Sequence, residues 1–322
     1  MSTEYKNRMF GCIILKSINS NFNADFTHHP RTLPDGVVYS TDKALKYAVK
    51  DYFRKHLSND RLFFVKRYNE NLNPFDLVET YESLFPKTKV KDADKLKILA
   101  DILSCQDIRL FGATFAPKGK DIEKKSISIH GPVQINHGVN RFPENEIYSE
   151  DILSPFRNPG EEESAEKGMS TIGNQTNLKE GHYVFHFSVN PKNTEELYNK
   201  VKGSKLFLSV DDIKNLKEAF NNAVTALDSS RKMGTENEAT VFVQLIEGSK
   251  KMLPSFTEMV SIKRNSEKVE IDCTLANQNT QKINGDVASV EVYYNPTNTT
   301  IIGLNKGGKV KHFNILSGEE IK

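Results

Sequence analysis

Residues 9–18 read MFGCIILKSI and residues 41–54 read TDKALKYAVKDYFR, and together they decide the fold class. The first is a short apolar run rich in β-branched residues, the pattern of a buried strand. In the second, Thr41-Asp42 offers an N-cap, and Ala44, Leu45, Ala48, Val49, Tyr52 and Phe53 recur at helical spacing. Lys43, Lys46, Lys50 and Arg54, separated by three, four and four residues, share another face. A core strand is thus followed by an amphipathic helix with a basic stripe.

Between the two, residues 19–40 are dominated by Asn, Asp, His, Thr, Pro and Gly and read as a long polar loop. Beyond the helix, Arg61 to Lys66 looks like a strand, and helical patterns cover 74–85 and 92–105. Residues 125–139 alternate through Ile127, Ile129, Val133 and Ile135 around Gly131-Pro132, which predicts one strand broken by a bulge or bend. Residues 181–189 alternate again, with Tyr183, Phe185, Phe187 and Val189 on one face. The intervening 140–180, with the acidic run Glu161-Glu162-Glu163, suits a protruding hairpin or loop. Asp211-Asp212 caps a second helix carrying Ile213, Leu216, Phe220, Val224 and Leu227, and an apolar strand covers 239–246. The order strand, helix, strand, strand, helix, strand is the ferredoxin-like motif of an α+β protein. Short strands at 268–275, 287–294, 300–304 and 310–316 follow.

The chain of 322 residues is 37% hydrophobic and 27% charged, within the range of globular proteins. With 44 basic and 42 acidic residues, affinity for a polyanion must come from local clustering and not from overall charge. Cys12, Cys105 and Cys273 form no CxxC pair, so neither a disulfide framework nor a thiolate zinc site is implied. They read as buried thiols. Residues 9–15 are too short an apolar run for a signal peptide or membrane span, and a cytoplasmic protein without a cofactor is expected.

Signals for catalysis are sparse. His182 and His186 would share a zinc on a helix, but on a strand they stand roughly 13 Å apart. His28-His29 reads either as a donor pair for phosphates or bases or as exposed loop residues. Residues 112–120 fail the phosphate-loop pattern in glycine spacing and in the residue after Lys120, which is Asp121. Asp25 could activate a hydroxyl or hold a metal; its other reading is a bond to its own loop.

A resemblance emerges from Phe10-Gly11-Cys12-Ile13-Ile14, His29-Pro30-Arg31 and Tyr39-Ser40-Thr41-Asp42, with Lys46 and Lys50 after them. To these add Asp107-Ile108-Arg109-Leu110-Phe111-Gly112 and Gly131-Pro132-Val133-Gln134. In order and spacing they resemble the guide-RNA (crRNA)-binding backbone subunit of type I CRISPR Cascade, closest to subtype I-B, in the repeat-associated mysterious protein superfamily. The resemblance implies an RNA-recognition-like palm with C-terminal web strands (1–60, 121–139, 181–322), a helical fingers insertion (61–120) and a β-hairpin thumb (140–180). It also implies partners: crRNA, further copies in a filament, other Cascade subunits, target DNA paired to the guide, and a separate nuclease-helicase. In that family the backbone subunit is not the nuclease.

Carried over by residue, Lys46 and Lys50 match basic helix positions that hold guide phosphates, a contact that neutralises charge without reading sequence. Lys43 and Arg54 extend that face, or are simply solvated. Thr41 and the helix start behind it offer a further phosphate site. Thr171-Ile172-Gly173 resembles a Thr-Met-Gly thumb element, with Ile172 either wedging between bases or packing within the hairpin. Arg31, Gln134, Asn136, His137 and Arg141 are further RNA-binding candidates, as are Arg231 and Lys232 after the second core helix. Two alternatives remain: a type III-like subunit cutting target RNA with Asp25, and a general single-stranded RNA-binding protein.

Overall fold

The structure, a computed structural model, describes residues 3–119, 122–157, 169–201 and 206–322; side chains at 156, 157 and 169–172 lie outside that description. In chain order the elements are β1 (Met9–Ser20), β2 (Tyr39–Ser40), α1 (Asp42–Lys55), α2 (Leu77–Leu84), α3 (Lys95–Leu103), α4 (Gln106–Phe111), β3 (Gly112–Phe115) and β4 (Ile127–His130). Next come β5 (Val133–Ile135), β6 (Gly138–Asn140), β7 (Ile147–Arg157), β8 (Met169–Val189), α5 (Glu195–Lys200), α6 (Val210–Asn222) and β9 (Thr235–Leu245). The chain closes with β10 (Ser261–Asn265), β11 (Lys268–Asp272), α7 (Thr274–Gln281), β12 (Val287–Tyr294), β13 (Thr299–Ile302) and β14 (Val310–Asn314). It is a mixed α+β protein built on one large sheet.

Nine strands share that sheet: β14, β12, β9, β1, β8, β6 and β2 lie side by side, and β5 and β7 also pair with β8. β1 runs antiparallel to both neighbours, with Ile13 opposite Phe185 of β8 and Thr240 of β9. A strand covered on both faces needs apolar residues in unbroken sequence, which is what 9–15 supply. Met9, Ile13 and Leu15 pack with Leu45, Ala48, Val49 and Phe53 of α1 and with Leu216 and Phe220 of α6. Phe10, Cys12 and Ile14 point the other way, onto Val241, Val243, Phe256 and Ile271. All three cysteines are buried and unpaired.

A separate cluster, including Tyr81, Ile98, Leu99, Leu103 and Phe115, is built by α2, α3, α4, β3 and β4. Residues 61–66 form no strand. The backbone N–H groups of Phe63 and Phe64 donate instead to the two oxygens of Asp107, at 2.8 and 2.7 Å, so a buried carboxylate replaces a neighbouring strand. The 125–139 stretch is two strands in different sheets, β4 on β3 and β5 on β8. They part where two glycine backbones cross. A Cβ on Gly112, whose φ is +73°, would stand 2.2 Å from the Ile129 carbonyl oxygen, and one on Gly131 would stand 2.1 Å from the Phe111 carbonyl carbon. At α6 the N-cap is Ser209, in a capping box with Asp212, and not the Asp211-Asp212 pair.

β8 is long enough for two jobs. Its C-terminal half completes the main sheet, where the β1 pairing ends at Ser20 opposite Leu178. Its N-terminal half pairs with β7 from Ile147–Leu178 out to Arg157–Met169. At the usual strand rise those outer residues of β8 carry the hairpin about 30 Å past the end of β1. The Glu161-Glu162-Glu163 run lies outside the described residues.

Candidate nucleic-acid interface

The basic helix begins at a well-made cap. Thr41 has extended backbone, its hydroxyl oxygen accepts the Ala44 N–H at 3.4 Å, and its N–H and hydroxyl both donate to Asn23 Oδ1 at 2.9 Å. Asp42 follows in the first turn, where a carboxylate is favoured by the unpaired N–H groups. It is 6% exposed and accepts from Lys43 Nζ at 2.8 Å and Lys46 Nζ at 3.1 Å, with His137 Nδ1 3.9 Å away. Burial opposes ionisation of Asp42, but the hydrogen bonds from Lys43 and Lys46 prevail and hold its carboxyl below the ordinary value.

Lys46 also stands 5.4 Å from the centre of the Phe111 ring. One turn on, Lys50 differs: among the described residues its ammonium has no ion-paired or hydrogen-bonded carboxylate and sits 5.6 Å from the Phe64 ring centre. Burial pushes its pKa down, against the opposing pull of Asp107. A half-desolvated ammonium lacking a bonded acceptor gains more from an incoming phosphate than one already paired.

Arg31 joins this edge through its backbone, its N–H donating to the Asn23 carbonyl and its carbonyl accepting from Tyr39. Its Nε is buried with no hydrogen-bond partner among the described residues. The Tyr39 and His137 rings lie 5.3 Å apart. Lys43, Lys46 and His137 therefore surround Asp42 behind the Thr41 cap, Lys50 follows one turn after Lys46, and the Arg31 backbone lies beside Asn23 and Tyr39.

The other candidates are placed differently. Arg231 Nη1 donates to the His28 carbonyl at 3.4 Å and Lys232 Nζ to the Phe22 carbonyl at 2.5 Å, making them struts beneath the 21–30 loop. Gln134 donates to Gly131, three residues back. Asn136 accepts the His186 N–H and donates to Thr257, bridging the break between β5 and β6. Arg141 lies 3.8 Å from Glu258. Asn136 and Arg141 thus sit against the 256–258 segment, and Gln134 bonds within its own turn. Ile172 belongs to β8, but its side chain is outside the described residues.

Asp25 is occupied locally. Its Oδ1 accepts from the Thr27 N–H and hydroxyl, each at 2.8 Å, and from the His29 N–H at 3.0 Å, and the Thr27 hydroxyl bond leads in holding its carboxyl below the ordinary value. Phe26 beside it is 97% exposed. The strand histidines have separate partners. His186 Nδ1 is 3.2 Å from the Gly11 carbonyl oxygen, whereas His182 is fully buried with Nδ1 2.5 Å from Glu238 Oε2 and Nε2 3.1 Å from Glu180 Oε1. Glu238 reaches that position because the register slips between Ile14–Ala239 and Leu15–Asn237, a bulge that turns the extra residue toward β8. Glu180 also accepts from Arg264; despite burial, Arg264 and His182 hold its carboxyl below the ordinary value. Among the described residues no cluster of three or more His, Cys, Asp or Glu is arranged to hold a metal ion, and no helix is long and apolar enough to cross a membrane.

Sequence reading missed Asp42 as the counter-ion of the stripe, although its i,i+4 spacing to Lys46 was available. It also missed Phe64 and Phe111, for which no local signal exists.

No curated protein matches the chain by sequence. Solved structures similar to it include two CRISPR complexes. One, titled "CRISPR RNA-guided surveillance complex", is 12% identical over 89% of this chain and 88% of that one, with a TM-score of 0.47. The other, titled "CRISPR RNA-guided surveillance complex, pre-nicking", is 10% identical over 95% and 96%, with a TM-score of 0.49. The sequence profile of CRISPR-associated protein Cas7 matches residues 7–284, a span from β1 through α7, and the chain therefore belongs to the CRISPR-associated Cas7 family.

Proposed function

We propose that the chain is the guide-RNA-binding backbone subunit of a type I CRISPR surveillance complex in the cytoplasm, closest to subtype I-B. It acts as a non-catalytic scaffold. Copies line up along one crRNA and hold its phosphates, leaving most of its bases to pair with target DNA, while other subunits and a separate nuclease-helicase complete the response. The strand order β9, β1, β8, β6, with α1 and α6 packed on one face, supports a ferredoxin-like palm. Within this reading 61–120 are the fingers, and 140–180, which include β7 and the outer half of β8, are the thumb.

The observation that carries the proposal is the basic face of α1, where Lys43, Lys46 and His137 gather about Asp42 and, among the described residues, Lys50 has no bonded counter-ion. Ammonium groups hold phosphate regardless of base, as a subunit accepting any guide requires. The three hydrogen bonds that tie Asp25 Oδ1 to its own turn favour a scaffold over an RNA-cutting subunit. The Lys46→Ala/Lys50→Ala variant should weaken two guide RNAs of unrelated sequence equally and reduce the salt slope by roughly 0.7 for each lost phosphate contact. Unchanged affinity removes the assignment. Cleavage of complementary RNA by the assembled complex, abolished by Asp25→Asn, would replace the scaffold with an enzyme.

A further inference from the structure

The outer face of α1 carries more than lysines. Tyr47, Lys50 and Arg54 lie at i, i+3 and i+7, on one side of the helix. The irregular segment 64–68 runs against that side. Lys50 Nζ approaches the Phe64 ring, Arg54 Nη1 donates to the Lys66 carbonyl at 3.4 Å, and Lys66 Nζ lies 4.9 Å from the Tyr68 ring centre. A hydrogen bond with the Tyr68 phenol leads in raising the Lys66 pKa. Three aromatic rings from two distant stretches of sequence therefore alternate with cations on one surface.

These rings are presented, not buried. Tyr47 is 51% exposed, Phe64 39% and Tyr68 52%. The backbone beneath is nevertheless fixed: Asp107 holds Phe64 N–H, Arg67 Nη2 donates to the Leu62 carbonyl at 2.8 Å, and Phe75 N–H donates to the Arg67 carbonyl at 2.9 Å. Rings held in place by their support lose little freedom when a partner arrives.

We propose that Tyr47, Phe64 and Tyr68, interleaved with Lys50 and Lys66, form a platform on which bases of bound single-stranded RNA stack. The inference rests on the RNA-binding reading above and adds a base-contacting surface to it. Binding of single strands combines cations that follow the phosphates with aromatic faces that accept any base, and the alternation here meets both needs. A protein-docking core is depleted of charge, whereas here Lys50 stands beside Phe64 and Lys66 beside Tyr68.

The chain contains no tryptophan, so Tyr47→Trp and Tyr68→Trp each introduce a sole fluorophore of that type. Each variant is titrated with a single-stranded RNA and with an abasic strand of equal length and charge. Stacking predicts quenching by the RNA and little by the abasic strand. The Tyr47→Ala/Tyr68→Ala variant, judged folded by circular dichroism, should lose at least roughly five-fold in RNA affinity and keep the parent salt slope. RNA binding with no quenching, or with equal quenching by both strands, overturns the platform and leaves the RNA reading standing. An effect of the alanine variant confined to self-association in sedimentation would make the surface a contact between copies and would also overturn it. Failure of the parent chain to bind RNA removes both proposals.

Discussion

Asp42→Asn should make the protein less stable and its RNA binding tighter, two effects of opposite sign from one charge. The carboxylate lies in the first turn of α1 and holds Lys43 and Lys46 at 2.8 and 3.1 Å. Its interaction with the helix terminus is worth about 0.3–1 kcal/mol. The Lys43 pair is largely solvent-exposed and contributes almost nothing, while the Lys46 pair contributes up to about 1 kcal/mol. The variant should therefore lose about 0.3–2 kcal/mol in urea unfolding. At neutral pH the whole contribution is present, because a carboxyl held below its ordinary value stabilises above that value and stops doing so as pH falls through the lowered one. For RNA, removing the internal counter-ion releases one ammonium for phosphate. At a slope of about 0.7 per phosphate on a single strand, that corresponds to roughly five-fold tighter binding near 0.1 M salt. Fluorescence anisotropy across a salt series measures both the gain and the steeper slope. A folded Asp42→Asn protein with unchanged or weaker RNA affinity would refute phosphate contact at Lys43 and Lys46.

Two further outcomes concern buried polar groups. His182→Ala strands the 4%-exposed Glu238, whose Oε1 already lacks a partner among the described residues, and should cost about 3–5 kcal/mol in urea unfolding. Adding Glu238→Gln should recover part of that, and a single-variant loss below about 1 kcal/mol would contradict the buried network. Burial holds His186 and His312 below the ordinary 6.5, so the unfolded chain takes up their protons first as pH falls. Their contribution to stability is complete above 6.5 and declines below it. Thermal melts at pH 7.5 and 5.5 should show a larger acid loss for the parent than for His186→Gln/His312→Gln; an equal or smaller loss refutes the assignment.

The regular elements were legible where periodicity and burial coincide. The apolar run at 9–15 predicted β1, the Thr41 cap and the spacing of Leu45, Ala48, Val49 and Phe53 predicted α1, and Tyr183 to Val189 predicted the inner half of β8. What escaped depends on partners distant in sequence. Phe63 and Phe64 look like strand residues, and only Asp107, some forty positions away, shows why they are not. The change of sheet between β4 and β5 hinges on the crossing of Gly112 with Gly131. The basic stripe was visible as spacing, but its division into a counter-ion-bound Lys46 and a Lys50 with no ion-pair partner among the described residues required side-chain geometry. Likewise Tyr47 carries no sign of Phe64 or Tyr68 until the 64–68 segment is seen against α1.

The central claim is that this chain holds guide RNA by its backbone, whatever the guide encodes. Purifying the tagged protein from its host and sequencing the co-purified RNA tests it most directly. The account predicts small RNAs with uniform repeat-derived ends and varied internal sequence, depleted in the Lys46→Ala/Lys50→Ala variant. A mixture of unrelated cellular RNAs, or no RNA at all, would contradict it.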